Sequence, residues 1–195
     1  MKNLASFIFE LGMLKKIRRS GFPFLGSGGE SIADHSFRAA LIGYYLGILD
    51  GEADAGRVAL LLLHHDLPES RTGDLNYVQK QYVTANENKS KHDQAAMLPE
   101  KIAHTYTALY EEYNFGQTKE AELARDADQL DLLAELKEQQ DLGNPYAKEW
   151  IHFATKRLST KIAKKLAEDI LSTDWSHWWF EKNDDLWVGL RHKKD

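Results

Sequence analysis

The sequence contains no cysteine, and that absence removes both a disulfide framework and a thiolate metal site. Any metal would have to sit on His, Asp or Glu. Proline is scarce at 4 and glycine modest at 13 in 195 residues, and strand-like alternation is almost missing, which disfavours turn-rich β architectures. No apolar run is long enough to span a bilayer. The opening stretch MKNLASFIFELGMLKK is short, is interrupted by Glu10 and lacks a small-residue cleavage site, so a cytoplasmic protein with no membrane partner is expected. An excess of positive charge is lacking too: 25 Lys and Arg against 30 Asp and Glu leave a net charge of -5. That balance argues against a surface built for phosphate backbones, so nucleic acid is not an expected partner.

What is present is apolar residues recurring at spacings of three and four, the pattern of an all-α chain. A first helix is expected over about 3–17, with Leu4, Phe7, Ile8, Leu11, Leu14 and Ile17 on one side. A second, about 34–49, carries two stripes, Phe37–Leu41–Tyr44–Ile48 and Ala39–Ile42–Leu46–Leu49, and is expected to be central. A third, about 53–66, runs through RVALLLLHHD and is apolar all round in its middle, so it too is expected to be enclosed. The polar run KQYVTANENKSKHDQ reads as a mobile connection or lid, helical at its start. Helix resumes near 95, then over about 118–140 and 146–172, and a Trp-rich tail follows. A single domain over 1–195 is expected, with its chemical core about 30–140 and residues 146–195 packing on it.

Three placements are unusual. His64-His65-Asp66 ends a helix whose preceding four residues are leucine, and ionisable groups there need partners. His35 heads the stripe Ala39, Ile42, Leu46 and Leu49, and so faces the interior. In RDADQLD, Asp128 shares its face with Ala121, Ala124 and Leu132, whereas Asp126 lies with Glu122 and Gln129, so Asp128 is expected to be the inward one. A buried carboxylate must meet a cation, and an Arg or Lys would serve as well as a metal. Together, however, two histidines and two aspartates in one helical core form a four-ligand N/O set for a divalent ion.

The order His35, His65-Asp66, Asp128 resembles the H…HD…D signature of the HD-domain metal-dependent phosphohydrolases. The segments IADHSFRAALI, LLLLHHDLPESRTGDL and RDADQLDLL are similar to short bacterial 5′-deoxynucleotidases and their eukaryotic HD-domain-containing relatives, over roughly residues 1–140. The resemblance implies an HD-domain helical bundle with a metal site in its core. It implies that His35, His65, Asp66 and Asp128 bind one divalent metal, which this donor set leaves open among Mn, Co, Fe, Ni, Zn and Mg. It further implies that Glu69 orients or deprotonates water and that Asp74 serves the leaving 5′-oxygen. Helical spacing would also set Glu69 beside His65, although Pro68 can end the helix between them.

The reaction implied is hydrolysis of a deoxyribonucleoside 5′-monophosphate, a small-molecule substrate, by a homodimer. Phosphate needs a cation, and Lys15, Lys16, Arg18 and Arg19 cluster before His35; most suit a charged helix end. RRSGF resembles the Arg-x-Gly-Trp segment of these relatives, which implies that Arg19 reaches substrate and puts Phe22 where they have Trp. Related alarmone hydrolases follow HD with a Glu-Asp pair, where this chain has Ser70. A metal- or nucleotide-binding regulatory module is the reading from another class. Trp175, Trp178 and Trp179 are expected to pack in the core or a dimer contact.

Overall fold

The computed structural model describes residues 2–180. Helix α1 (Lys2–Leu11) passes into a 3₁₀ turn (Gly12–Lys15), and a short α2 (Phe22–Leu25) precedes the long α3 (Ile32–Asp50). Next come α4 (Ala55–His64), the single turn α5 (Glu69–Thr72), a 3₁₀ turn (Gln79–Gln81), α6 (Glu87–Ala95), α7 (Glu100–Phe115), α8 (Lys119–Asp141), α9 (Ala147–Lys156) and α10 (Lys161–Ser172). No named strand occurs among the described residues; one isolated bridge joins Arg18 to Ser31. Among them, too, no helix is long and apolar enough to cross a membrane.

Helices α3, α4 and α8 form the centre. Ser31 caps α3 through a reciprocal bond with Asp34, which fixes where the helix starts and hence where His35 sits one turn inside it. Gly47 lets α3 and α4 touch, since a Cβ there would lie 2.7 Å from the Ala55 Cα. Leu46, Leu61, Leu62, Leu123, Leu130, Leu133 and Leu136 fill the resulting core, all essentially inaccessible. A second cluster of Phe7, Leu14, Ile32, Leu67, Leu98, Tyr106 and Tyr110 joins α1 to α7.

Several expectations change. The first helix stops at Leu11, and Ile8 is exposed. Only half of each central helix is enclosed: Phe37, Leu41, Tyr44 and Ile48 of α3, with Leu49, and Leu60 and Leu63 of α4, stay at the surface. The segment read as a lid starts in the 3₁₀ turn Gln79–Gln81, as expected, but its second half is the docked helix α6. Ser90 there donates to the Pro68 carbonyl, and Gln94 Nε2 donates to Glu10 at 2.8 Å and to the Leu67 carbonyl.

The final helix is two. Asp126 is buried, contrary to its expected outward placement, and its carboxylate accepts from Ser159 N, Thr160 N and Thr160 Oγ1, so the chain turns there and α10 begins afresh. Trp175 is half-buried while Trp178 and Trp179 are exposed, so the described part of the tail does not enter the core. The remainder of the tail, 181–195, lies outside the described residues.

Candidate metal and phosphate site

His35 from α3, His65 and Asp66 from the turn after α4, and Asp128 from α8 converge at the bundle centre. His65 Nε2 lies 3.0 Å from Asp66 Oδ2; His35 Nε2 lies 3.2 Å from Asp128 Oδ1 and 3.9 Å from Asp66 Oδ2. His35, His65 and Asp66 each present a ligand atom within 4.8 Å of the others. Both imidazoles are oriented from behind. His35 Nδ1 is 2.6 Å from Asp131 Oδ2, and His65 Nδ1 is 2.6 Å from the Leu62 carbonyl. A ring that donates through Nδ1 has its lone pair at Nε2. Among the described residues neither Nε2 atom, both buried, has a hydrogen-bond partner, a costly arrangement that a cation would relieve.

The donor set therefore fits a divalent ion, all nitrogen and oxygen, with carboxylates supplying negative charge. Electrostatics agree. Burial alone would push Asp128 up, yet the adjacent His35 imidazole, and the charges of His65 and Arg19, hold it far below the usual carboxylate range. Burial and the Arg19 charge oppose protonation of His35, but Asp128 and Asp131 outweigh them and raise it to about 10. A proton on His35 thus stands where a metal cation would act.

Glu69 is set by a broken helix. Pro68 ends the run, α4 stops at His64, and Glu69 N donates to the Asp66 carbonyl at 3.0 Å as α5 begins. Its Oε2 is buried without a partner, and burial, reinforced by Asp66 and Asp74, pushes the carboxyl up to about 10. Gly73, at φ 76°, turns the chain from α5 to Asp74. Asp74 accepts from Ser20 N, while Asn76 Nδ2 donates to the Ser20 carbonyl at 3.1 Å. These two bonds join the 73–78 segment to the one carrying Arg19.

Arg19 Nη1 is 3.7 Å from Asp66 Oδ2, and its Nε is 3.8 Å from Glu30 Oε1. Phe22, by contrast, is buried in the main core, 6% exposed, and is not on an open wall of the site. Its pairing with Leu25 on the inner side of α2 accounts for that: the chain uses Phe22 to seat the helix. His64 is turned away, its Nδ1 on the Leu60 carbonyl and its ring 6.1 Å from Tyr106. Lys15, Lys16 and Arg18 are exposed.

Sequence reasoning missed the groups behind the ligands. Asp131 also accepts from Arg38 Nε, and Arg38 is anchored by Glu135 and Glu138, each at 3.0 Å. Buried Glu30 lies between Arg19 and Arg38, and burial with the Asp131 charge raises it to about 7 despite both cations. Tyr113 donates to Asp128 at 3.2 Å with its ring 4.8 Å from that of His65. Helical spacing held the signal: Arg38 follows His35, and Asp131 follows Asp128, by three residues.

Comparison with known proteins gives a consistent result. The chain is 28% identical over 147 residues to the 5′-deoxynucleotidase HDDC2 of Bos taurus, covering 73% of this chain and 71% of that one. It is 29% identical over 154 residues to a 5′-deoxynucleotidase of Yersinia pestis, covering 72% and 77%. The solved structure of a predicted metal-dependent phosphohydrolase from Magnetospirillum magnetotacticum superposes with a TM-score of 0.69 at 27% identity, over 87% of this chain and 90% of that one. The family model for the HD domain matches residues 11–170, so this chain belongs to the HD-domain family.

Proposed function

We propose that the protein is a phosphomonoesterase that hydrolyses deoxyribonucleoside 5′-monophosphates to deoxyribonucleoside and phosphate, using one divalent metal held by His35, His65, Asp66 and Asp128. The observation that carries this reading is the pair of buried, partnerless imidazole nitrogens facing two carboxylates, with a guanidinium 3.7 Å from one of them. Named 5′-deoxynucleotidases among the relatives support the substrate class. When bound, a divalent ion supplies Lewis-acid stabilisation of phosphoryl oxygens and lowers the pKa of water.

The chain's own groups then have separable tasks. Arg19 binds a non-bridging phosphate oxygen, its charge kept permanent by Asp128, Asp66 and Asp74 against the effect of burial. Glu69 orients the attacking water through its free Oε2 and, as the carboxylate that a cation bound beside it would favour, takes the water's proton. Water oxygen bonds to phosphorus, the bond from phosphorus to the 5′-oxygen breaks, and that oxygen leaves protonated. Asp74 is the group assigned to the leaving 5′-oxygen, positioned by its bond to Ser20 N.

The assembly proposed is a homodimer through α3, whose exposed Phe37, Leu41, Tyr44 and Ile48 form one stripe at helical spacing. The test of function is phosphate release from a panel of deoxy- and ribonucleoside 5′-monophosphates after chelation and readdition of single metals. Metal-restored release favouring deoxy substrates is expected; silence across the panel would overturn the assignment.

A further inference from the structure

Beside the phosphate site stand two aromatic rings that neither the fold nor the reaction uses. Phe24, on the outer side of α2, is 53% exposed, and Tyr77, three residues beyond Asp74, is 63% exposed. Their ring centroids lie 6.3 Å apart at 55°. Leaving two large rings in water is unfavourable, and Phe22 and Leu25 already seat α2, so burial does not account for Phe24.

Their place is set by bonds already described. Ser20 is held by Asp74 at its nitrogen and by Asn76 at its carbonyl. The segment carrying Arg19 and the one carrying Asp74 therefore run together, and Phe24, four residues after Ser20, meets Tyr77, next to Asn76, with both rings exposed. A nucleotide whose phosphate is on Arg19 extends its sugar and base away from the metal ligands. An aromatic surface accepts any base, because each has a π-face, and it gives affinity without reading hydrogen-bond edges.

We propose that Phe24 and Tyr77 form the platform on which the substrate's nucleobase stacks, so that the enzyme favours nucleotides over baseless sugar phosphates while tolerating different bases. This deepens the nucleotidase reading and rests on it. It also reassigns the aromatic contribution from Phe22, which the core absorbs, to Phe24.

The test compares wild type, Phe24→Ala, Tyr77→Ala and Phe24→Trp by calorimetric binding and by steady-state hydrolysis of four deoxynucleoside 5′-monophosphates and of 2-deoxyribose 5-phosphate. Each alanine should weaken nucleotide binding and raise KM about tenfold, leave kcat and every constant for the sugar phosphate unchanged, and act alike on all four bases. Phe24→Trp should retain or tighten binding. Equal losses on nucleotide and sugar phosphate, or none on either, would overturn the platform while leaving the reaction standing. Binding that requires a nucleobase, is alike for all four and is abolished by both alanines, in a protein that hydrolyses nothing, would sustain the platform and remove the nucleotidase reading. No nucleotide binding by wild type would overturn both. Both rings are exposed, so thermal melts of the alanine variants should match wild type.

Discussion

Asp131 Oδ2 sits 2.6 Å from His35 Nδ1, and this contact, in the fully buried floor of the site, directs the opposite nitrogen toward Asp66 and Asp128. Asp131 in turn is held by Arg38, so a surface-anchored guanidinium, a buried carboxylate and a metal-facing imidazole form one chain. Such outer groups fix the ring and raise its basicity as a ligand. Asp131→Asn keeps the shape and loses the charge, and should weaken metal binding about 10–100-fold. Competition titration against a chelating dye measures this; unchanged affinity would mean that His35 is oriented by packing alone.

Asp66 and Glu69 are neighbours with different assigned tasks. Asp66→Ala removes a carboxylate lying 3.0 Å from His65 Nε2, and should abolish both metal retention and turnover. Glu69→Gln, which keeps the side chain's size and loses its basicity, should retain metal while kcat falls about 10²–10⁴-fold. Elemental analysis after gel filtration, paired with phosphate release, separates the two. Equal metal loss in both would make Glu69 a ligand.

Among the described residues the carboxylate contacts of Arg19 lie at 3.7 and 3.8 Å, too long for close ion pairs, which leaves donors for an incoming anion. Arg19→Ala should therefore weaken phosphate-bearing ligands about 10–100-fold and leave affinity for the bare nucleoside unchanged. Calorimetry on a nucleotide and its nucleoside gives the ratio directly. If both affinities fall equally, Arg19 is supporting the fold of the 18–31 segment and not the substrate.

The four proposed ligands were legible because each breaks a pattern: a titratable group on an apolar helical face stands out once the period is known. The same logic misplaced Asp126. Its neighbours within its own helix point it outward, whereas its partners, Ser159 and Thr160, come from more than thirty residues along the chain. The break between α9 and α10 is masked because the apolar register runs through it, although Thr160, whose hydroxyl caps α10 by accepting from Ala163 N, is the local signal for it. Phe37, Leu41, Tyr44 and Ile48 read as core by periodicity, yet they are surface. Periodicity shows that a face is apolar and does not say whether this chain or another covers it.

That face carries its own test. Four large apolar residues along α3 leave a stripe whose burial in a symmetric contact would stabilise a dimer, at about 1.5–3 kcal/mol for each side chain fully removed from water. The double change Leu41→Glu with Ile48→Glu puts charge into that stripe without touching the ligands. Sedimentation velocity should show wild type as a dimer and the variant as a monomer, with metal content preserved. A wild type that is monomeric throughout the micromolar range would remove the dimer.

Away from the site, Glu10 links α1 to α5 and α6. It accepts from Arg71 at both oxygens at 2.7 Å, from Ser70 at 2.9 Å and from Gln94 at 2.8 Å. The Arg71 bonds lower its pKa below the ordinary 4.5; burial opposes this, and the Gln94 and Ser70 bonds add to it. A carboxyl lowered in the folded state stabilises that state above the unfolded pKa and loses the contribution as pH falls through the folded one. Arg71 is partly exposed, so solvent screens the pair and Glu10→Gln should cost only about 1 kcal/mol at pH 7. Urea unfolding of both proteins at pH 7 and at pH 3 gives the difference at each pH. It should be smaller at pH 3 than at pH 7, since the contribution of the carboxylate falls away as pH drops below the unfolded value and through the folded one. A difference that stays constant would assign the effect of Glu10 to packing, with its charge contributing nothing.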